Sequence, residues 1–164
     1  MTVILIIVSI LTVEDEVLKS WICTALMRVG TRMAVGFDQH FAPFGVTQAQ
    51  FRVLLAVQGQ GGETGIAPSH LADHLLIERA TVSVLSTGLV ARGWLERQPG
   101  PSRRTHLLRL TPAGQDLLGV LVPRAVALAD LTLGNTTAAQ LAEIQALLQM
   151  TETRLRTIPK ELQE

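Results

Sequence analysis

The chain has 164 residues, 48% of them hydrophobic, and its 14 basic and 14 acidic side chains give a formal net charge of zero. That length allows one buried core, or one lobe with a shared interface, and the overall charge by itself indicates no nucleic-acid partner. The only cysteine, Cys23, excludes an intrachain disulfide framework. A lone thiol is typical of a reducing compartment, so we expect a cytoplasmic protein.

The chain opens with an apolar stretch, MTVILIIVSIL. It is too short to span a bilayer, which needs about 20 apolar residues, and it lacks the basic start and the small-residue cleavage site of a secretory signal. We expect residues 1–13 to form an N-terminal extension. It is either a strand or extra helical turn that covers an apolar surface, or an upstream extension from a misplaced start codon. No membrane partner is expected.

Helical periodicity extends from residue 14 to about residue 42 and ends near Pro43. The next helix begins at Thr47, which forms a capping box with Gln50, while Val46 and Phe51 occupy the positions of a hydrophobic staple. The glycines that follow, at positions 59, 61, 62 and 65, predict a flexible connector.

A short helix from about Pro68 to Leu75 and a turn at Leu76-Ile77 lead into a longer helix, Glu78–Arg92. At about 100° per residue, its apolar positions share one side of the helix, which we expect to face the core. These core-facing positions are Val82, Leu85, Ser86, Leu89 and Gly93. The opposite side is small and uncharged, so it can approach base edges closely; it carries Ala80, Ser83, Val84 and Thr87.

Two alternating segments, Trp94–Gln98 and Thr105–Leu110, predict strands joined by a Pro/Gly tip at residues 99–102. Thr111 then caps a new helix that has Pro112 at its favoured first position. A last helix begins at Thr137, which forms a second capping box with Gln140.

Basic residues are concentrated in one part of the chain. Residues 79–109 contain a single acid, Glu96, and six arginines: Arg79, Arg92, Arg97, Arg103, Arg104 and Arg109. Such a local excess is typical of a phosphate-binding face. A helix followed by a hairpin with a basic tip is the order of a winged helix-turn-helix, which binds duplex DNA through a helix in the major groove and an arginine on the wing.

The predicted fold is therefore mainly α-helical with a small β-hairpin wing. We expect a winged helix-turn-helix DNA-binding domain at residues 46–115 and a helical dimerisation region at 14–45 and 116–164. The flanking helices are too apolar for isolated surface helices, which predicts a C₂ homodimer. Such a dimer presents two recognition helices to the half-sites of a pseudo-palindromic operator.

The order TVS at 81–83, Gly93, Arg97, Arg103-Arg104 and LTPAG at 110–114 resembles the multiple-antibiotic-resistance regulator (MarR) family. That family follows the pattern TVSxLxxxLxxxGxLxR…RRxxxxxLTxxG, and the likeness extends over roughly residues 14–160. The resemblance implies a cytoplasmic, dimeric transcriptional repressor that a small aromatic ligand or oxidation releases from its operator. Ser102 stands where the family usually carries an aspartate two residues before its key arginine.

We predict that the helix reads DNA through Arg79, Ala80, Thr81, Ser83, Val84 and Thr87. Ala80 and Val84 can offer only apolar contact, most naturally to thymine methyl groups, whereas the hydroxyls can bind bases or phosphates, so we expect an A·T-rich preference. On the wing, Arg104 with the support of Arg103 suits a narrow minor groove.

The family resemblance places an effector between the dimerisation helices and the winged helix. The residues expected to line that junction are Met33, Phe37, His40 and Arg52. Binding there can change the spacing of the two recognition helices, and thereby the affinity for DNA.

Two alternatives concern other chemistry. Cys23 lies 24 residues before Thr47 and resembles the reactive cysteine of the peroxide-sensing branch, which would make the chain a thiol-based peroxide sensor. That branch stabilises its thiolate with tyrosine hydroxyls and this chain has no tyrosine, so a small apolar residue in a dimer interface is the favoured interpretation. His70 and His74 have a metal-binding spacing without an evident third ligand nearby, and we expect no metal or other cofactor.

No phosphate-cradling glycine loop, supported Ser-His-Asp set or pair of carboxylates on one face occurs in the sequence, so we expect no enzyme. The remaining alternative to a transcription factor is a winged-helix protein-interaction module without DNA binding. The arginine cluster and the Arg103-Arg104 tip favour the DNA-binding function.

Overall fold

The computed structural model describes residues 2–102 and 105–157, and the side chains from residue 14 onward within those ranges. The described elements are helices and one antiparallel hairpin, as predicted. In chain order they are α1 Thr2–Phe41, a 3₁₀ turn Ala42–Phe44, α2 Gln48–Ala56, a π-helical turn Val57–Gly61, α3 Pro68–Leu75, α4 Arg79–Ala91, β1 Leu95–Pro99, β2 His106–Leu110, α5 Pro112–Leu133 and α6 Ala138–Arg156.

The apolar start of the chain is helical rather than a strand. It is continuous with the helix that periodicity predicts from residue 14, so α1 runs for 40 residues without a break. The helix ends at Phe41, and the chain then turns through Gly45, whose φ of 64° lies in the left-handed region that favours glycine.

Local capping signals in the sequence predicted helix starts correctly. The Thr47 Oγ1 accepts a hydrogen bond from the Gln50 amide at 3.2 Å, and the Gln50 Oε1 accepts one from the Thr47 amide at 3.0 Å. The box at Thr137 and Gln140 has the same two bonds, at 3.3 and 2.9 Å. Both capping boxes are confirmed, because each satisfies backbone donors that the first helical turn cannot pair internally.

The described chain divides into two compact units, Met1–Ala125 and Val126–Glu164. The first contains the hydrophobic core, which is built from the end of α1, the helices α2–α4, the hairpin and the first part of α5. Phe41 is fully buried in this core, and its ring centroid lies 5.6 Å from that of Phe37 and 4.8 Å from that of Phe51. The largest fully buried side chains around it are Leu54, Leu71, Leu89, Leu95, Leu108, Leu118 and Leu121.

The second unit contains the rest of α5 and all of α6. Within its described part, residues 126–157, no residue is buried, although many are large and apolar. The exposed side chains of α6 include Leu141, Ile144, Leu147, Leu148 and Leu155. No single helix in the described residues is long and apolar enough to cross a membrane; α5 and α6 meet that test of length and composition only when taken together.

The glycine-rich segment at 59–65 is not the flexible connector that its composition predicts. Val57–Gly61 form a π-helical turn, and Ile66 pairs with Leu108 of β2 through two backbone hydrogen bonds of 2.9 Å. The glycines permit close approach instead: a Cβ on Gly65, whose φ is +79°, would lie 3.0 Å from the Leu108 carbonyl oxygen. The prediction of a flexible connector was wrong because the partner of this segment lies far along the chain.

The hairpin has the register Leu95↔Leu110, Arg97↔Leu108 and Pro99↔His106. Leu95 and Leu108 share its core-facing side and are fully buried. At the tip, the Thr105 amide donates to the Ser102 carbonyl at 3.0 Å, and the Ser102 amide donates to the Thr105 Oγ1 at 3.0 Å. These bonds close the turn between the two strands.

Candidate nucleic-acid interface

The pair α3 and α4 forms the helix-turn-helix. The turn is made at Leu76, a non-glycine residue with a left-handed φ of 55°, and the Ile77 amide donates to the Ala72 carbonyl at 3.2 Å. On the inner side of α4, Val82 and Leu89 are fully buried and Ser86 nearly so. Because the core holds α4 by this side, its opposite side faces outward.

The outward face of α4 has the character that the sequence predicted. All six residues expected to contact DNA from this helix are exposed: Arg79, Ala80, Thr81, Ser83, Val84 and Thr87. Val84 is the most prominent apolar one, with 73% of its surface accessible. An exposed valine among small polar residues is suited to contact with thymine methyl groups.

Arg97 has a contact with this face that sequence reasoning missed. It lies on β1, and its Nη2 donates a hydrogen bond to the Thr87 Oγ1 at 2.8 Å. The sequence showed Arg97 only as one of six clustered arginines. The antiparallel register, which places Arg97 beyond buried Leu95 on the side of the hairpin that faces the core, is the signal that could have found it.

Arg92, another member of the cluster, is used structurally. Its Nη1 donates to the Gly45 carbonyl, and its guanidinium lies over the Trp94 ring, 5.0 Å from the centroid. It therefore ties the C-terminal end of α4 to the turn after α1. Arg109 is half-buried on β2, opposite Glu96, on the other face of the hairpin from Arg97.

The two arginines predicted to act from the wing, Arg103 and Arg104, lie outside the described residues. The flanking Ser102 and Thr105 are exposed, and in addition to the backbone bond their hydroxyl oxygens lie 3.1 Å apart. A serine–threonine pair thus closes the turn in which the family usually has an aspartate.

The predicted effector residues lie on α1 and α2. Met33 and His40 are exposed, Phe37 is half-buried against Phe41, and the Arg52 Nη2 donates to the Leu75 carbonyl at 3.0 Å. No described contact joins the four residues into one site, and the effector location stays a prediction.

A different cavity, of about 480 Å³, lies between α3 and the wing. Its wall contains both histidines of the predicted metal spacing, His70 and His74, together with Ile66, Leu107 and the tip residues Ser102 and Thr105. Across the described residues, no group of three or more His, Cys, Asp or Glu side chains is placed to hold a metal ion. Cys23 is exposed on α1.

The chain is similar in sequence to proteins of a known family. A family model described as the MarR family matches residues 44–104, which contain α2, α3, α4 and β1. The multiple antibiotic resistance protein MarR of Salmonella typhimurium is 31% identical over 78 residues, which are 47% of this chain and 52% of that protein. The chain thus spans about half the length of this curated relative.

A solved structure extends the likeness over nearly a whole relative. BpsR of Bordetella bronchiseptica is 31% identical, with 77% of this chain and 90% of that chain covered and a TM-score of 0.66. The chain belongs to the MarR family. A mutant MarR from E. coli, crystallised with operator DNA, is 25% identical, with 77% and 89% coverage and a TM-score of 0.69.

Membership of the MarR family confirms the winged-helix fold class. It also agrees with the expectation that the protein is no enzyme, because the family consists of transcriptional regulators. In this MarR-family chain, α4 corresponds to the predicted recognition helix and the β1–β2 hairpin to the predicted wing.

Proposed function

We propose that this protein is a transcriptional repressor that binds a pseudo-palindromic operator as a homodimer and is released by a small aromatic effector. The observation that carries the DNA-binding part is the outward face of α4. That face is exposed, small and uncharged over Ala80, Ser83, Val84 and Thr87, with Arg79 at the start of the helix. A helix of this kind can enter the major groove and bring its side chains against base edges.

Electrostatics supports the same partner. Arg79 on α4 and Arg97 on β1 are both exposed, Arg97 bonds to Thr87 on the outward face of α4, and the sequence adds Arg103 and Arg104 at the tip. Phosphate contacts by such arginines fix the position of a protein on DNA, while base contacts supply the sequence preference. The E. coli relative described above was crystallised with operator DNA.

The proposed homodimer is supported by apolar surface that the single chain leaves in water. On α1, Val17, Trp21 and Met27 each expose 60% or more of their surface. On α6, Ile144 and its apolar neighbours are exposed as well. Large apolar side chains exposed in this number on a helix are typical of an interface, and a two-fold axis would pair identical helices from two copies.

The effector part of the proposal combines the predicted junction with the chemistry of a relative. The BpsR structure concerns regulation of its DNA binding by 6-hydroxynicotinic acid, a small aromatic acid. Here Met33 and Phe37 offer apolar surface, and His40 and Arg52 offer groups that can pair with a carboxylate. A ligand can shift DNA affinity only by as much as its own affinity differs between the two states of the dimer.

The DNA-binding proposal is tested by selecting bound sequences from a randomised duplex library and measuring affinities by fluorescence anisotropy. We expect enrichment of a two-fold-related, A·T-rich site. Val84→Ala should weaken binding to each half-site by about 1.6 kcal/mol, roughly 15-fold, and reduce the thymine preference at one position there, because apolar burial of two methylene-sized groups is lost. Leu55→Ala, a loss of apolar surface at an exposed position of α2 outside both α4 and the predicted dimerisation region, is the control.

Enrichment of no sequence would overturn DNA recognition and favour the protein-interaction module instead. If Val84→Ala kept the wild-type affinity and base profile, α4 would not be the helix that recognises the bases.

Effector release is tested by titrating small aromatic acids, 6-hydroxynicotinic acid among them, into the protein–operator complex. We expect the apparent Kd for the operator to rise with an active ligand, and His40→Ala to weaken that effect because a partner for the carboxylate is lost. His70→Ala, the same change in the cavity between α3 and the wing, should leave the effect intact. The reverse result would place the effector in that cavity, and no response to any of the acids would contradict their class.

A further inference from the structure

Arg97 is placed by the strand register where it can act on the recognition helix. Leu95, Arg97 and Pro99 alternate onto one side of β1, opposite Leu110, Leu108 and His106 of β2. Leu95 is buried in the core on that side, whereas Arg97, two residues nearer the tip, is exposed. Its guanidinium therefore meets the outward face of α4, where the Nη2 bonds to the Thr87 Oγ1 at 2.8 Å.

The Thr87 hydroxyl differs from most other helical threonines of this chain. Thr24, Thr31 and Thr132 each donate their hydroxyl proton to the backbone carbonyl four residues earlier, at 2.8–3.0 Å. Among the described residues, no carbonyl accepts the hydroxyl proton of Thr87. The Thr87 Oγ1 only accepts a hydrogen bond, from Arg97. Because a hydroxyl has one proton and two lone pairs, the proton of Thr87 is left to point away from the guanidinium.

We propose that Arg97 is a specificity-determining residue that fixes Thr87 as a hydrogen-bond donor toward the major groove. A base amino group would bring a further positive hydrogen to an oxygen that already faces a cation, so this oxygen is a poor acceptor for it. Thr87 then selects bases that present an acceptor in the major groove, N7 and O6 of guanine, N7 of adenine or O4 of thymine. It disfavours cytosine, which presents only its N4 amino group there.

This inference rests on the proposed DNA-binding function, and it is separable from a general effect of charge. Arg97 has several N–H donors and uses one on Thr87, so the same side chain can also hold a phosphate. Loss of a phosphate contact weakens binding to all sequences alike, whereas loss of control over Thr87 changes the preference at one position. Arg109 is a matched arginine on the opposite face of the hairpin, paired in register with Glu96.

The test compares base profiles, selected from the randomised library, for the wild type, Thr87→Val, Arg97→Met and Arg109→Met. Thr87→Val identifies the position read by Thr87, where the wild type should bind cytosine about five- to tenfold more weakly than the best base. In Arg97→Met that difference should fall below about twofold. Arg109→Met should keep the wild-type profile, even if its overall affinity falls through the lost charge.

A second set of measurements uses conservative changes. Thr87→Ser keeps the hydroxyl and should keep the discrimination against cytosine. Where the preferred base is a purine, a deazapurine that lacks N7 should weaken the wild type about fivefold and leave Thr87→Val unchanged. The far-ultraviolet circular dichroism and melting temperature of each variant show whether it is folded. The Thr87 and Arg97 side chains are exposed, so we expect wild-type values for the variants at these two positions.

An Arg97→Met profile identical to the wild type at the Thr87 position would overturn the inference, as would a Thr87→Val profile with no change anywhere. Both results leave the proposed function standing, because the wild type still selects its operator. Failure of the wild type to select any sequence is the distinct result that refutes the function itself.

Discussion

Ile144→Glu should convert the protein from a dimer to a monomer at micromolar concentration. Ile144 is exposed on α6 beside Leu141 and Leu148, at the spacing of one helix side. If this side is buried between two copies, a carboxylate at its centre loses its water without gaining a partner. That costs about 3 kcal/mol or more, which corresponds to a roughly 100-fold weaker dimer. Sedimentation equilibrium measures the change.

Loss of the dimer in Ile144→Glu should also weaken operator binding, because a monomer reaches one half-site only. The matched control is Gln145→Glu, which adds the same charge at the next position of the helix, about 100° away. We expect it to stay dimeric. A dimer of wild-type affinity in Ile144→Glu, with an unchanged operator Kd, would show that α6 is outside the interface.

Gly114→Ala should lower the free energy of unfolding by about 3 kcal/mol, the upper part of the range for an overpacked core. A Cβ at Gly114 would meet the backbone carbonyl of Trp94 and lie 2.9 Å from the Leu110 Cδ2. The Trp94 peptide cannot move aside freely, because its carbonyl accepts from the Thr111 amide at 3.2 Å and its amide donates to the Leu89 carbonyl at 3.1 Å. Chemical denaturation of the pure protein gives the value.

Gly119→Ala supplies the contrast on the same helix. Apart from the adjacent backbone of its own helix, no atom lies within 4 Å of a Cβ at Gly119, so alanine there should raise the stability by about 0.5–1 kcal/mol through helix propensity alone. Equal stabilities of the two variants would mean that α5 does not begin against Trp94 as closely as described. A loss of stability in Gly114→Ala alone would explain the glycine of the LTPAG segment by its packing against Trp94.

Most of the helix bounds could be predicted from short-range signals in the sequence. The bounds of α3 agree with the prediction at Pro68 and Leu75, and α4 begins and ends within one residue of its predicted limits. The capping boxes at Thr47 and Thr137 involve residues three positions apart, so they can be recognised in the sequence without knowledge of the fold. The exposed face of α4 followed from helical periodicity in the same way.

Contacts between residues far apart in the chain could not be predicted from the sequence. The pairing of Ile66 with Leu108 turned a glycine-rich segment, which resembles a connector, into an ordered part of the wing. A cluster of arginines likewise does not reveal which of them is used structurally. Arg92 is held by Gly45 and Trp94, and Arg97 by Thr87, and only strand register and packing separate these roles.

The bridge between Ile66 and Leu108 has a consequence for the timescales on which the wing can move. It joins residues about 40 positions apart, and only Ala67 separates Ile66 from the start of α3. The base of the hairpin can therefore separate from the helix-turn-helix only when the core opens, so its amide protons should exchange on the timescale of global unfolding. Nearer the tip, the described backbone hydrogen bonds of the two strands are with each other, which allows nanosecond-to-microsecond bending about the bridge. The wing is thus fixed at its base, where Leu108 pairs with Ile66, and can bend only toward its tip.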